Sequence, residues 1–200
     1  MNQRVQVLII GSGPAGLLLG QLLHNIGVET LILERQSQEY VLSRIRAGVL
    51  EQGTTELLEL AGCGERMRVE GIIHSGFDLA FDGQRYRIDL QEMSGGKTVM
   101  VYGQTEVTKD LMNHRLVTNG ITIYEAQDVQ PHDFDTDQPR VSYQKIELNI
   151  GWTVTSLRAV TVSMGLVRLL FQTKRLGSMR RSIHLVGWES WQMFHLFRMS

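Results

Sequence analysis

The residues in this chain best suited to chemistry are three glycines and one acid. Gly11, Gly13 and Gly16 stand in the run Gly11-Ser12-Gly13-Pro14-Ala15-Gly16, and Glu34 follows eighteen residues after the last of them. That G-x-G-x-x-G spacing suits a turn around a dinucleotide pyrophosphate. Gly11 bends the chain sharply, Gly13 brings backbone against phosphate with no Cβ between them, and Gly16 lets a helix pack close to the preceding strand. The helix start offers N–H groups and a positive dipole end to the phosphates, and an acid at Glu34 accepts hydrogen bonds from ribose hydroxyls. No Ser/His/Asp or Cys/His constellation accompanies them, and the six histidines are scattered without metal-ligand spacing. The one cysteine, Cys63, excludes an internal disulfide and a multi-cysteine metal site, and is expected to be a buried, inert thiol. Any redox chemistry therefore belongs to a bound cofactor, which the protein orients and tunes.

The elements around these residues fit that purpose. Val5 to Ile10 is an apolar, β-branched run that predicts a buried parallel strand. A helix from Pro14 to about Ile26 follows, with Pro14 in the first turn, where its missing N–H is no loss, and Gly27 ending it. Thr30 to Leu33 is a second strand that delivers Glu34. A signal-peptide reading fails because Gly and Pro interrupt the apolar run and no small-residue cleavage site follows.

Further along, Arg44 and Arg46 flank one apolar residue. In an extended loop both point toward a common anion; otherwise they are a solvated pair on a turn. A short helix is expected from about Glu51 to Ala61. Phe77–Phe81 and Arg85–Leu90 alternate in polarity around Asp82-Gly83, which predicts an antiparallel hairpin with its charges facing solvent. A strand over Lys97–Tyr102, a helix over Gln104–Leu116 and a strand over Ile121–Glu125 restore the alternation of an α/β sheet. Gln104 then lies at the carboxyl end of a strand, where open α/β sheets place ligands, or is simply a polar residue starting a helix. Val129 to Tyr143 suggests another hairpin. Its acidic cluster, Asp133, Asp135 and Asp137, lacks the glycine and distal glutamate of a calcium loop and reads as a solvated turn.

Composition is that of an ordinary globule of 200 residues, and a net charge of −1 argues against a nucleic-acid binder. No apolar run reaches membrane-spanning length, and the expected compartment is the cytoplasm. The averages conceal a break. Residues 151–200 hold only one of the chain's 21 acidic side chains, Glu189, but all three tryptophans, Trp152, Trp188 and Trp191. Such a change marks a domain boundary or a foreign segment.

Several stretches carry a family resemblance: VLIIGSGPAGLLLGQLL, LILERQSQEYVLSRIRAGVLEQG, FDGQRYRIDL and SGGKTVMVYGQTEVTKDLM. They resemble the amino-terminal part of the 4-hydroxybenzoate 3-monooxygenase family of FAD-dependent aromatic hydroxylases, over about residues 4–145. The fold this implies is α/β, a Rossmann-like FAD-binding βαβ domain with inserted antiparallel hairpins, truncated. The resemblance implies that Gly11, Gly13 and Gly16 surround the FAD pyrophosphate and Glu34 holds the adenosine ribose. It places Arg44, Arg46, Ala47, Gly48 and Gln104 along the rest of the cofactor. Arg35, Gln36 and Tyr40 fall in the segment that governs recognition of NADPH, the transient co-substrate. The implied reaction is reduction of FAD by NADPH, reaction with O₂, and hydroxylation of 4-hydroxybenzoate to 3,4-dihydroxybenzoate, by a full-length enzyme that leaves room for a homodimer. The residues that grip the phenol belong to later family segments that do not appear after 145, so no catalytic residue is named, no metal is expected, and the chain as it stands is expected to be inactive.

Residues 146–200 read as an out-of-frame tail. Codons allowed by Trp152–Gly165, regrouped from the third letter, translate as DCDFIAGCDGFHG, which resembles the family's D-G motif. Codons allowed by His184–Ser200 regroup at the same offset to PFGWLGILADVPPVSHE, and the shifted frame can stop directly after Ser200. An unselected tail is expected to pack poorly, exchange amides fast and be cleaved early. Two other readings stand beside this one: a non-catalytic Rossmann fragment with weak or no nucleotide binding, and a partner- or membrane-surface module built on the basic stretch from Val167 to Arg181.

Overall fold

The computed structural model describes residues 3–44, 46–133, 139–145, 148–154, 158–163, 166–171 and 185–186, the segments after 145 by their backbone alone. The expectations for side chains and packing within Trp152–Ser200 lie outside the described residues.

The chain opens with β1 (Gln3–Val5), β2 (Val7–Ile10), α1 (Pro14–Asn25), β3 (Thr30–Leu33) and α2 (Gln38–Ser43). It continues through β4 (Val49–Glu51), α3 (Gln52–Leu60), α4 (Glu65–Glu70) and β5 (Ile72–His74) to the hairpin β6 (Gly76–Phe81) and β7 (Gln84–Asp89). After α5 (Leu90–Met93) come β8 (Val99–Val101), α6 (Gln104–Val117) and β9 (Ile121–Ile123), then β10 (Gln127–His132) and β11 (Arg140–Lys145). The last strands are β12 (Leu148–Val154), β13 (Arg158–Ser163), β14 (Leu166–Phe171) and β15 (Leu185–Val186).

The central sheet runs β15-β14-β13-β2-β3-β9, and its middle strands are parallel, with Ile9 opposite both Ile32 and Val160. Both faces of β2 and β3 are covered, which is why they read as continuous apolar runs. Ile9 and Ile32 turn to one side, where they pack with Leu17, Leu22, Leu58 and Leu111. Leu8, Leu31 and Leu33 turn to the other, against Val141 and Tyr143 of the second sheet, β1-β12-β11-β10. The expected single strand from Val5 to Ile10 is split at Gln6, so that β1 pairs with β12 and β2 with β3. Gln6 Oε1 accepts the Glu29 N–H at 2.7 Å, fixing the break.

Two expectations need correction. The strand before Gln104 does not extend the parallel sheet: β8 pairs antiparallel with β4 and β5 in a separate three-stranded sheet, and β9 is the strand next to β3. Nor is the stretch after Glu34 only a polar connection, because Ser37 Oγ accepts the Tyr40 N–H at 3.2 Å and starts α2. This is an N-cap hidden among polar residues.

Arg115, near the end of α6, is 1 % exposed and fastens that helix to the sheet. Its Nη2 donates to Thr30 O at 3.1 Å, Thr30 Oγ1 at 3.0 Å and Ile121 O at 3.0 Å, and its Nε to Thr122 Oγ1 at 3.1 Å. Nη1 is buried with no partner. Burial pulls this guanidinium down to about 10.

Candidate dinucleotide site

The turn after β2 is built as its glycines require. Gly11 takes φ 111°, a conformation that L side chains rarely adopt, and its N–H bonds Leu33 O at 2.7 Å. A Cβ on Gly16 would lie 2.1 Å from Gly11 O, so only glycine lets α1 approach the turn this closely. A Cβ on Gly13 would meet nothing within 4 Å. Open space therefore lies at the N-cap of α1, where no side chain caps the helix and the first N–H groups have no intrahelical partner.

Glu34 stands beside this turn with its carboxylate already oriented. Oε2 accepts from the Ser12 N–H at 2.8 Å and from Ser12 Oγ at 3.3 Å, while Oε1 accepts from the Gln36 N–H at 2.9 Å. A carboxylate offers about four acceptor directions, so capacity for an arriving hydroxyl remains. Ser12, fully buried, spends its N–H on Glu34, leaving phosphate contact to the residues that follow. Burial raises the neighbouring Tyr124 phenol to about 12, partly opposed by a hydrogen bond with Ser12 and aided by the Glu34 charge.

A second group forms around the start of α6. Gly48 O accepts the Tyr102 N–H at 2.8 Å, and a Cβ on Gly48 would lie 2.6 Å from Gly103 Cα. This contact brings Gly48 beside Gln104, the first residue of α6, which is partly exposed. The turn is braced from below: Tyr102 Oη donates to Asp110 Oδ2 at 2.6 Å, and Arg66 donates to Asp110 at 2.5 Å, Glu106 at 2.7 Å and Glu70 at 3.0 Å. The hydrogen bond from Arg66 holds the Glu106 carboxyl below its ordinary range.

The other predicted residues are more dispersed. Arg44, at the end of α2, places its guanidinium 5.9 Å from the centre of the Tyr40 ring, and both side chains are exposed. Arg46 and Ala47 are exposed, and Ile45 between the arginines is outside the described residues. Gln36 is tied by its backbone to Glu34 and to Glu125 N, and Arg35 O accepts from Gln127 Nε2 at 2.8 Å. Sequence reasoning missed Ser12, Tyr124 and the Tyr102-Asp110-Arg66 brace. Only Ser12, lying inside the glycine motif, carried a local signal.

Turn, helix start and anchored acid on a parallel sheet define a dinucleotide-binding domain of the Rossmann type. The chain belongs to the FAD binding domain family, whose model matches residues 4–154. It is 51% identical over 143 residues to p-hydroxybenzoate hydroxylase from Acinetobacter baylyi, a match covering 72% of this chain and 35% of that protein. It is 27% identical over 139 residues to a 12-dehydrotetracycline 5-monooxygenase/anhydrotetracycline 6-monooxygenase from Streptomyces rimosus, covering 70% of this chain and 27% of that one. The chain thus spans about a third of the length of these curated relatives. Among solved structures, p-nitrophenol 4-monooxygenase from Pseudomonas putida shares the fold with a TM-score of 0.68 at 18% identity, over 80% of this chain and 42% of that one. These relatives are a hydroxylase and two monooxygenases by name, and the family is one of flavoenzymes. No helix among the described residues is long and apolar enough to cross a membrane.

Proposed function

We propose that this chain is the FAD-binding portion of an NADPH-dependent flavoprotein monooxygenase that hydroxylates 4-hydroxybenzoate to 3,4-dihydroxybenzoate. The observation that carries the reading is the anchored Glu34 carboxylate beside the open space at Gly13. An acid at the ribose site accepts from free 2′- and 3′-hydroxyls and repels a 2′-phosphate, which favours FAD over NADPH there. Gly11, Gly13 and Gly16 border the pyrophosphate, with the N–H groups at the start of α1 donating to it. Arg44, Arg46, Ala47, Gly48 and Gln104 line the rest of the cofactor, and the Tyr102–Gly48 hydrogen bond ties Gly48 to the strand end that leads into Gln104. Arg35, Gln36 and the Tyr40–Arg44 pair offer a basic and aromatic surface suited to the 2′-phosphate and adenine of NADPH. When bound, the flavin supplies the redox chemistry; these residues bind and orient it.

Residues 146–200 are read as an out-of-frame tail, on the strength of the composition break and of the two family-like peptides recovered at one offset. On this reading the purified chain shows no 4-hydroxybenzoate-dependent NADPH oxidation. Substrate-stimulated turnover coupled to dihydroxybenzoate formation contradicts it. Sequencing the gene tests the tail: codons for residues 152–200 that do not encode family peptides in another frame give the tail a different origin.

A further inference from the structure

The first turn of α6 carries Gln104, and no side chain caps it. Its placement is set by contacts from two directions. On one side the Tyr102 N–H donates to Gly48 O at 2.8 Å, and Gly48 stands so near Gly103 that a Cβ on it would lie 2.6 Å from Gly103 Cα. On the other, Glu106 and Asp110, four residues apart and so on one face of α6, both accept from Arg66 of α4, at 2.7 Å and 2.5 Å. The second oxygen of the buried Asp110 accepts from Tyr102 Oη at 2.6 Å. Burial raises the Tyr102 phenol, with the Asp110 hydrogen bond adding to the effect, so it stays a protonated donor. Gly48, Tyr102, Asp110 and Arg66 thus form one unbroken chain of bonds from the turn to α4.

The far end of that chain is fastened separately. Met67, next to Arg66, is 1 % exposed and packs in the core with Leu57, Leu58 and Cys63. Gly71, which closes α4, bonds Met67 O at 2.9 Å, and a Cβ on it would lie 2.6 Å from Met100 Sδ of β8. Arg66 therefore reaches α6 from a fixed base, using Nη1 for Asp110 and Nη2 for Glu106 and Glu70, a forked geometry that an ammonium does not reproduce. Without the guanidinium the three carboxylates repel one another, and Asp110 keeps a buried charge with one partner fewer. We infer that Arg66 is a positioning residue for the cofactor: acting through Asp110 and Tyr102, it holds Gly48 and Gln104 at the spacing that receives the part of FAD beyond its adenosine diphosphate. The inference rests on the proposed FAD reading, in which Gly11, Gly13, Gly16 and Glu34 take the adenosine and pyrophosphate.

The test compares FAD with ADP, which carries the adenosine and pyrophosphate alone, by calorimetric titration into the full chain below its melting transition. Arg66→Met is expected to weaken FAD at least tenfold and ADP less than twofold. Tyr102→Phe, which removes the donor to Asp110, is expected to give the same FAD-selective loss. Combining it with Arg66→Met is expected to cost less than about twofold beyond Arg66→Met alone, as for two residues that act through one contact. Arg66→Lys, which keeps the charge without the fork, is expected to fall between parent and Arg66→Met. Arg68→Met, which breaks the ion pair of the same helix with Glu59 at 2.7 Å, is expected to change neither affinity. Equal losses of FAD and ADP, additive losses in the double variant, or FAD affinity unchanged by Arg66→Met overturns the inference. Amide exchange without ligand gives a second readout. The Tyr102 N–H, bonded to Gly48 O, is expected to exchange at least tenfold faster in Arg66→Met, while the Gly11 N–H, bonded to Leu33 O, changes less than twofold. Equal acceleration of the two, or none, overturns the inference. A parent chain that binds neither nucleotide contradicts the FAD reading itself, and exchange at Tyr102 then decides alone whether Arg66 holds the turn.

Discussion

The backbone N–H of Ser12 donates to Glu34 Oε2 at 2.8 Å, joining the glycine turn at the end of β2 to the end of β3. With the Gln36 N–H on the other oxygen, the carboxylate is fixed before any ligand arrives. An oriented acceptor binds without first losing side-chain freedom, which is the advantage of preorganisation.

Replacing Glu34 by Gln leaves an amide NH₂ facing a backbone N–H on one side or the other. The expected outcome is a loss of about 1–2 kcal/mol of folding stability and about tenfold in FAD affinity. Urea denaturation and FAD titration of Glu34→Gln check the two effects separately.

Gly16 tolerates no side chain, since its Cβ would lie 2.1 Å from Gly11 O. Gly16→Ala is expected to cost about 2–4 kcal/mol, because backbone must shift. The thermal midpoint records it, and a variant as stable as the parent contradicts the close helix-to-turn packing.

Arg115→Ala removes donors from Thr30, Ile121 and Thr122 and leaves a cavity beside Gly20. The expected loss is about 3–5 kcal/mol. Arg115→Met fills more of the volume and carries no buried charge, so it is expected to lose clearly less. Chemical denaturation ranks the two.

Alkaline pH supplies a further test. Burial raises the Cys63 thiol from 9.0 to about 12, with the Asp110 charge adding to the effect. The folded state therefore holds this proton more tightly than the unfolded one, so stability is intact below pH 9 and declines as pH rises toward 12. Arg115, pulled down to about 10, acts in the opposite sense above that value, so the Cys63 effect is clearest between pH 9 and 10. A slope of up to about 1.4 kcal/mol per pH unit is expected there. Cys63→Ala is expected to flatten it in denaturation curves taken across that window.

Much of this fold is legible in the sequence where the local signal is strong. The apolar run at Thr30–Leu33 is β3 with the same bounds. Asp82-Gly83 forms the hairpin turn with φ of 49° and 71°, both in the left-handed region that the dipeptide favours. The glycine turn and Glu34 are legible because their spacing is local chemistry. The short elements α4, β4 and β5 are not, since three to six residues carry too little periodicity. Their order comes from pairing such as Val49 with Val101, about fifty residues apart. Nothing in the sequence marks Arg115 for burial: the last turn of a helix is where a surface cation compensates the dipole, yet the fold buries this one. The Gly48–Gly103 approach likewise exists only once β4 and β8 are paired.

The most direct test of the central claim is calorimetric titration of FAD into the full chain and into Gly13→Val. Because nothing lies within 4 Å of a Cβ at Gly13, the added side chain starts in open space, the space assigned to the pyrophosphate. The account predicts that the parent binds FAD and that Gly13→Val, folded with an unchanged melting midpoint, loses at least a hundredfold in affinity. FAD affinity equal in the two proteins contradicts it.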